Sequence, residues 1–305
     1  MKFKSILLTG ALTLGTINFS YAQQLEAFLT HGGGLLDRIC RKMFSEYEQK
    51  FNETVKINVK TGADGILAAR EMSNNSSKTK VLCHGSSVWV QNRFVHKDKD
   101  IGVSDKSILV KYSDEPTLWY VPNSVKGVNS WDTLMSYLRS FDRPIKVGGF
   151  TGVHRAQIAW LAKEYNLNLV VVPFKKGPEI LPALSKGDLD LALDPGVGYK
   201  AAKAGKFQIV GYNMIKQNSI LKDKPNFDSV NQNMKTFGLW LGLTVNADMD
   251  PAYKAKLADR MKSIITTDSF KEFAEVAFAP VDWTPGADAE VFINKQIKDT
   301  EKLLK

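Results

Sequence analysis

Two glycine-rich turns carry short hydroxyl side chains at points where an apolar segment leads into a helical pattern. The first spans residues 30–34 and begins with Thr30, and the second spans residues 148–152 with Thr151 as the candidate N-cap. Glycine lets a ligand approach the backbone closely, and the first N–H groups of the following helix point toward that ligand. The helix dipole favours negative charge there. Each turn is therefore suited to bind a small anion, although tight β–α connections share the same pattern.

Further polar loops follow other apolar segments. Asp64 and Gly65 lie in one such loop, Ser86 and Ser87 in the next, and Asp194 ends an apolar segment before a Pro-Gly pair. Short hydroxyls at loop tips either stabilise the turn or contact a ligand. Asp194 is either a ligand-selective acceptor, which would favour an amine or hydroxyl donor, or an anchor for its own loop.

Three of the four histidines, His31, His84 and His154, are at strand ends or at a helix start on the same side of the predicted cleft. Such a set is typical of a metal site or of an anion site that uses protonated histidine, whereas the plainer interpretation is that each stabilises its own loop. No HExxH, paired-cysteine or carboxylate–histidine spacing supports a metal. We therefore expect no metal and no cofactor.

Sequence patterns of an enzyme are absent. The chain has no G-x-S-x-G nucleophile elbow, no complete dinucleotide fingerprint and no P-loop. Cys83 and His84 are neighbours on a predicted strand, so their side chains point to opposite faces and form no dyad. We predict that the protein is not an enzyme.

The elements that position these loops occur twice in the same order. Segments 25–83 and 145–194 both read as strand, glycine-rich turn, helix, strand, loop, helix and strand. Because each copy presents its loops at the carboxyl ends of its strands, the pattern predicts two α/β lobes that close on one ligand. We expect each lobe to be a mostly parallel sheet flanked by helices, with the segment 167–172 covered on both faces.

The chain crosses between the two lobes twice. Segment 118–121 leads out of the first lobe and segment 236–245 returns to it, which predicts a two-strand hinge. We expect residues 23–121 and 237–305 to form lobe 1 and residues 122–236 to form lobe 2.

Residues 1–22 have the pattern of a secretory signal peptide. Lys2 and Lys4 precede an apolar run that is too short to span a bilayer, and Ser20-Tyr21-Ala22 forms a small-x-small cleavage site. We expect cleavage after Ala22 and a periplasmic protein. The formal charge of +9 includes those two lysines, and no basic run or RNA-binding aromatic motif accompanies it. Nucleic acid is not an expected partner.

The chain has two cysteines, Cys40 and Cys83. Export into an oxidising compartment and an even count permit a disulfide, but no disulfide framework or CxxC motif is present. Because both residues are in apolar patterns, two buried free thiols explain the sequence equally well.

Three stretches carry a family resemblance. Gly33-Gly34-Leu35-Leu36-Asp37 is similar to a Gly-Gly-x-x-Asp pattern, segment 62–65 to a Gly-Ala-Gly-Gly-like loop, and segment 172–194 to a Val-Pro-Tyr-Lys-Gly run that continues to a strand ending in Asp. His154 also fits the histidine that starts a helix after the second-lobe loop. The mature chain thus resembles the Bug family of periplasmic solute-binding proteins, the receptors of tripartite tricarboxylate transporters.

The resemblance implies a class II periplasmic-binding-protein fold in which donors from both lobes bind a carboxylate. Lys175 either balances a second carboxylate or is a solvated turn lysine. The chain departs from the family pattern at His31-Gly32, where a proline is usual, at Asp64, where a glycine is usual, and at Lys176. The ligand-binding residues predicted from the loops and the resemblance together are Thr30, His31, Gly33, Gly34, Asp64, Gly65, Ser86, Ser87, Gly149, Thr151, His154, Lys175 and Asp194.

We predict an extracytoplasmic receptor that captures a small organic anion by lobe closure and delivers it to the permease subunits of a tripartite tricarboxylate-type transporter. We expect it to act as a monomer. Two alternatives stay open at the level of sequence. One is a metal-binding protein or secreted metal-dependent enzyme that uses His31, His84 and His154, and the other is a sensory ligand-binding module.

Overall fold

The computed structural model describes residues 24–75, 77–96, 101–149, 151–172, 174, 177–215 and 219–305. The predicted signal peptide and Lys175 lie outside these ranges. None of the helices in the described ranges is long and apolar enough to cross a membrane.

The described chain alternates strands and helices. The strands are β1 (Leu25–Leu29), β2 (Val55–Val59), β3 (Lys80–Gly85), β4 (Lys106–Glu115), β5 (Thr117–Pro122), β6 (Ile145–Gly148), β7 (Leu169–Val172), β8 (Leu191–Asp194), β9 (Phe207–Asn213), β10 (Leu239–Asn246) and β11 (Val281–Pro285). The helices are α1 (Leu35–Phe51), α2 (Ile66–Asn74), α3 (Asn92–Val95), α4 (Trp131–Arg139), α5 (Gly152–Glu164), α6 (Ile180–Lys186), α7 (Tyr199–Lys203), α8 (Pro251–Ile265), α9 (Asp268–Val276) and α10 (Gly286–Leu304).

The strands form two sheets, one in each lobe. The first has the order β11-β4-β10-β3-β1-β2 and the second the order β7-β6-β8-β5-β9. Only β1 with β2 and β3, and β6 with β7 and β8, pair in parallel in the described sheets. The sheets are therefore mixed rather than mostly parallel. The physical reason is that β10 in the first sheet and β5 in the second belong to the segments that cross between lobes and add antiparallel to the parallel strands.

The core of the first lobe lies between its sheet and α1. The apolar side chains of α1 recur every three or four residues and share one buried face, which consists of Leu36, Ile39, Cys40, Met43 and Tyr47. On this face Cys40 forms a disulfide with Cys83 of β3. Of the two alternatives that the sequence leaves open, the structure thus has the disulfide, which ties α1 to the strand that leads into Ser86 and Ser87.

The core of the second lobe covers β6 and β8 on both faces. Ser130 is the N-cap of helix α4, and its hydroxyl accepts a hydrogen bond from the Thr133 N–H. The Thr133 hydroxyl in turn accepts a hydrogen bond from the Ser130 N–H, which completes a capping box. β7 is an edge strand of this sheet, and the side chain of Val170 is 45% exposed. The expectation that segment 167–172 is covered on both faces is wrong, because the face of β7 that carries Val170 is open to solvent.

The two crossings between lobes lie side by side. β4 ends at Glu115 in the first sheet and β5 begins at Thr117 in the second, with Pro116 between them. The return crossing enters β10, where Leu239 is the partner of Glu115 in the antiparallel ladder. The hinge therefore places the end of β4 and the start of β10 at the junction of the lobes.

The disulfide gives a stability prediction. It closes a loop with a sequence separation of 43, and loop closure of that size lowers the entropy of the unfolded chain by an amount worth about 4 kcal/mol. We expect the double variant Cys40→Ala, Cys83→Ala to lose roughly 3–4 kcal/mol in the free energy of unfolding, measured by urea denaturation. Dithiothreitol serves as the control, because it should destabilise the natural chain and leave the variant unchanged. Equal urea midpoints for the natural chain with and without reductant would contradict the disulfide.

Candidate functional site

A cavity lies where the two lobes meet. The centres of water molecules could occupy a volume of about 70 Å³ inside it. This is room for about five waters or a small ligand. Its walls combine polar groups with apolar side chains from both lobes. The lining residues include His31, Gly34, Leu35, Leu36, Asp64, Ser86, Ser87, Val88, Glu115, Thr151, Asp194, Val197, Leu239 and Leu241.

The N-terminus of α1 faces this cavity. Gly34 is the N-cap in an extended conformation, and no side chain caps the helix. Asp37 instead accepts a hydrogen bond from the Gly33 N–H, so it ties down the preceding turn. Among the described residues no acceptor meets the backbone N–H groups of Leu35 and Leu36. These N–H groups, at the positive end of the helix dipole, are available to an anion in the cavity.

Two serines follow β3 and have different roles. Ser87 accepts a hydrogen bond from the Val153 N–H of α5, so it joins the first lobe to the second. Ser86 also lines the cavity, and its hydroxyl is fully buried with no hydrogen-bond partner in the described part of the chain. A buried hydroxyl without a partner costs about 1–3 kcal/mol, and a ligand with a polar group would remove that cost.

Asp64 connects the lobes through its carboxylate. It lies in the loop after β2 and accepts a hydrogen bond from the Gly152 N–H at the first turn of α5. Arg155 of the same helix approaches the same oxygen at 3.5 Å, and His31 of the first lobe lies 3.4 Å from the other oxygen. The carboxylate thus occupies the anion position at the N-terminus of α5.

The backbone on both sides of this contact fits it closely. A Cβ at Gly152 would lie 2.8 Å from the Asp64 carboxylate and 2.8 Å from the Asn92 side chain, so only glycine permits the approach. Asp64 itself has φ +54° and ψ +41°, in the left-handed region that glycine adopts without strain. An aspartate in this conformation is retained by the contacts that its carboxylate makes.

The electrostatics of Asp64 favour the charged form. Burial acts to raise the pKa of its carboxyl group, but the hydrogen bond and charge of His31, the charge of Arg155 and the Gly152 N–H outweigh burial and lower the pKa. The bridge between the lobes is therefore a carboxylate, not a neutral acid, at physiological pH.

Two further carboxyl groups line the cavity at the hinge, and both have raised pKa values. Burial raises the pKa of Glu115 to about 8, and the charges of Asp194 and Asp114 add to the effect. Burial also raises the pKa of Asp194 to about 6, although backbone N–H groups of its own loop and the Tyr120 hydroxyl stabilise its charge. Asp194 accordingly anchors its loop and also lines the cavity.

Seven of the residues predicted from the sequence line the cavity: His31, Gly34, Asp64, Ser86, Ser87, Thr151 and Asp194. Thr151 also caps α5, because its hydroxyl accepts a hydrogen bond from the His154 N–H. Thr30 supports the cavity from behind, since its hydroxyl lies 2.9 Å from the His31 ring. The residues that do not line the cavity are Thr30, Gly33, Gly65, Gly149 and His154. Lys175 lies outside the described residues.

The three histidines do not meet at one centre. His84 is buried between β3 and β10, where its Nε2 lies 2.8 Å from the Thr244 hydroxyl, and His154 is buried in α5. Burial lowers the pKa of His84 to about 4 and that of His154 to about 3, so both are neutral at physiological pH. Within the described ranges no cluster of three or more metal-ligating side chains is present.

Sequence reasoning missed several residues of the site. Glu115, Leu239 and Leu241 come from the crossing strands, and Arg155 follows the predicted His154 by one position. Glu115 is the last residue of β4, an apolar strand that also contains the charged residues Lys111 and Asp114. Because these charges interrupt the apolar pattern, the strand was not predicted from the sequence. A signal was nevertheless present, because Pro116 after a charged pair marks the point where the chain leaves the first sheet.

The structure resembles those of known solute-binding proteins, although no family model matches the chain and no curated protein matches its sequence. One similar structure is Rpa4515 of R. palustris with adipate, at 16% identity and a TM-score of 0.82, with 93% of this chain and 97% of that chain covered. Another is MatC of Rhodopseudomonas palustris with bound malate, at 18% identity and a TM-score of 0.79, with 92% and 99% covered.

A third similar structure is the periplasmic binding protein BugD, at 18% identity and a TM-score of 0.78, with 92% of this chain and 96% of that chain covered. These similarities extend over nearly the full length of each protein. The chain therefore has the two-lobe α/β fold of periplasmic binding proteins, and the fold expected from the sequence resemblance is confirmed.

The Asp64 contact predicts that the lobes open when its carboxylate is removed. We expect Asp64→Gly, which fits the positive φ without strain, to shift the equilibrium between closed and open lobes by roughly tenfold to a hundredfold toward open, since one charge-assisted bridge is lost. Small-angle X-ray scattering without ligand should report a larger radius of gyration. Ala63→Gly is the matched control, because Ala63 has φ +45° in the same loop. An unchanged radius in Asp64→Gly would show that other contacts close the lobes.

Glu115 makes the stability of the protein depend on pH. In the unfolded chain its carboxyl group ionises near 4.5, whereas in the folded protein it keeps its proton up to about pH 8. Between these values the folded state binds more protons, so the free energy of unfolding falls as pH rises and levels off above pH 8. Burial also raises the pKa values of Asp194 and Asp228, to about 6. Their contribution to the pH dependence of the free energy of unfolding therefore ends near pH 6.

The pH window above 6.5 isolates Glu115, because the buried histidines change their protonation on unfolding only below about that value. We expect Glu115→Gln to gain up to about 2 kcal/mol relative to the natural chain between pH 6.5 and 8. Urea unfolding at several pH values measures this difference, and Glu272→Gln on the exposed surface of α9 is the control. A difference that stays constant with pH would mean that Glu115 is ionised in the folded state.

Proposed function

We propose that the chain is an extracytoplasmic solute-binding receptor that captures a small organic carboxylate by lobe closure. The observation that carries this proposal is the cavity between the lobes, which the uncapped N-terminus of α1 and the buried Ser86 hydroxyl both line. Helix N–H groups and a hydroxyl are the donors that a carboxylate accepts from. The similar structures with adipate and with malate support the same ligand class.

Capture follows from the way the lobes share the cavity. The N-terminus of α1 and Ser86 belong to the first lobe, while Thr151, Asp194 and Val197 close the cavity from the second. A ligand that binds the first lobe gains the contacts of the second only in the closed form, so binding shifts the population toward closure. Release requires the lobes to part, which is the step that a membrane partner would control.

The partner that we propose is the permease of a tripartite tricarboxylate-type transporter. The support is the family resemblance in the sequence together with the fold that the chain shares with BugD. The protein would act as a monomer in the periplasm after cleavage of its leader behind Ala22, and it would bind its solute without changing it chemically. The proposal includes the thirteen residues predicted from the sequence, as residues that would contact the ligand or support its site.

A thermal-shift screen of residues 23–305 tests the function. The set contains mono-, di- and tricarboxylates, amino acids and aromatic acids, with metal ions as a separate set. A ligand at a hundredfold excess over its Kd adds about 2.7 kcal/mol to the free energy of unfolding, which shifts the melting midpoint by several degrees. We expect a shift with one class of acid and none with a metal.

Ser86→Ala is the variant that locates the binding event. It should weaken the acid found in the screen by about tenfold, since one hydrogen bond is lost from a buried site. Ser45→Ala, on the exposed face of α1, should leave the affinity unchanged. A shift with a transition metal and with no acid would overturn the carboxylate receptor.

A further inference from the structure

Glu115 is the one acidic side chain at the hinge whose carboxyl group has no protein partner in the described part of the chain. The residue is 5% exposed and lines the cavity, and no hydrogen bond or ion pair reaches its carboxyl group from any described residue. Buried polar groups in proteins are almost always hydrogen-bonded, and buried charges are almost always paired. Because Glu115 lines the cavity, a group bound there is in a position to be that partner.

The neighbouring carboxylates differ from Glu115 because the protein compensates them. Asp114 lies 2.8 Å from the Lys111 ammonium, which also contacts Asp282 at 2.6 Å. Asp194 accepts hydrogen bonds from the N–H groups of Gly196 and Gly198. The hinge thus contains its own donors for two acidic side chains and none for the third.

The described part of the cavity wall is acidic at the hinge. Glu115 and Asp194 line it, and no lysine or arginine does so among the described residues. A second ligand carboxylate here would meet the charge of Asp194 in a desolvated site, which is unfavourable. An ammonium group would stabilise both carboxyl groups in their charged form and supply the hydrogen-bond donors that Glu115 lacks.

We propose that Glu115 and Asp194 form an ammonium-binding subsite, so that the solute is a small amino acid or other amino-substituted carboxylate and not a plain carboxylate. This inference rests on the proposed function and deepens it. The carboxylate of the solute binds the N-terminus of α1 and Ser86, its amine binds at the hinge, and apolar walls that include Val88, Val197 and Leu241 surround the carbon atoms between them.

Proton release upon binding follows from this arrangement. At pH 7 the free protein carries a proton on Glu115, since the pKa of that group is about 8. An ammonium ion favours the charged carboxylate, so binding displaces roughly one proton into solvent. The other titratable groups that face Glu115 are Asp114 with its partner Lys111, Asp194 with Tyr120, and His31 and Asp64 across the cavity. A ligand carboxylate at the same place would instead retain or take up a proton.

Isothermal titration calorimetry with matched ligand pairs tests the proposal. The pairs are alanine and propionate, aspartate and succinate, and γ-aminobutyrate and butyrate, each titrated at pH 7 in phosphate and in Tris so that the number of protons released can be derived. We expect the amino-substituted member of at least one pair to bind about tenfold to a hundredfold tighter than its partner and to release a proton.

Glu115→Gln isolates the subsite, with Glu272→Gln as the matched control. Glutamine preserves the shape, so the variant should lose the preference for the amino-substituted ligand and the proton release while still binding the plain carboxylate. Equal or tighter binding of the plain acids by the natural chain, or proton uptake with every ligand, would overturn the ammonium subsite and leave the carboxylate receptor standing. Absence of binding by all six acids and by every acid of the thermal-shift screen would overturn both.

Discussion

The contact between the Asp64 carboxylate and the first turn of α5 is the constraint on which the site depends. A helix N-terminus attracts an anion, and in this protein the anion is part of the first lobe. Because Gly152 packs directly against the carboxylate, the two lobes approach closely beside the cavity that Asp64 also lines. The cost is a left-handed backbone at Asp64, which the contacts of its carboxylate with His31, Arg155 and the Gly152 N–H offset.

Because of this contact, the two glycine-rich turns have different roles. From their sequences both turns are predicted to be anion sites, one in each lobe. In the structure the turn before α5 is satisfied by protein, through Asp64, Ser87 and its own cap Thr151, whereas the turn before α1 has no capping side chain and faces the cavity. The first lobe therefore presents free N–H donors to the cavity, and the donors of the second lobe are already used by the protein.

The hinge adds acidic side chains to the cavity. β4 and β10 cross between the lobes side by side, and their junction places Glu115 in the wall of the cavity that the N-terminus of α1 also lines. The same cavity therefore presents helix N–H donors and buried carboxyl groups. A solute with an anionic and a cationic end matches these two kinds of group better than one with two anionic ends.

The two-lobe fold, the repeated order of elements and the positions of most polar loops are predictable from the amino-acid sequence, because glycine turns, N-caps and apolar periodicity are local signals. Seven lining residues are predictable for the same reason. The mixed pairing of the sheets, the disulfide between Cys40 and Cys83 and the place of Glu115 in the site emerge only in the folded chain. These features depend on which distant segments meet. Strand β4 also has charges that look unsuited to a core until Lys111 is paired with Asp114 and Asp282.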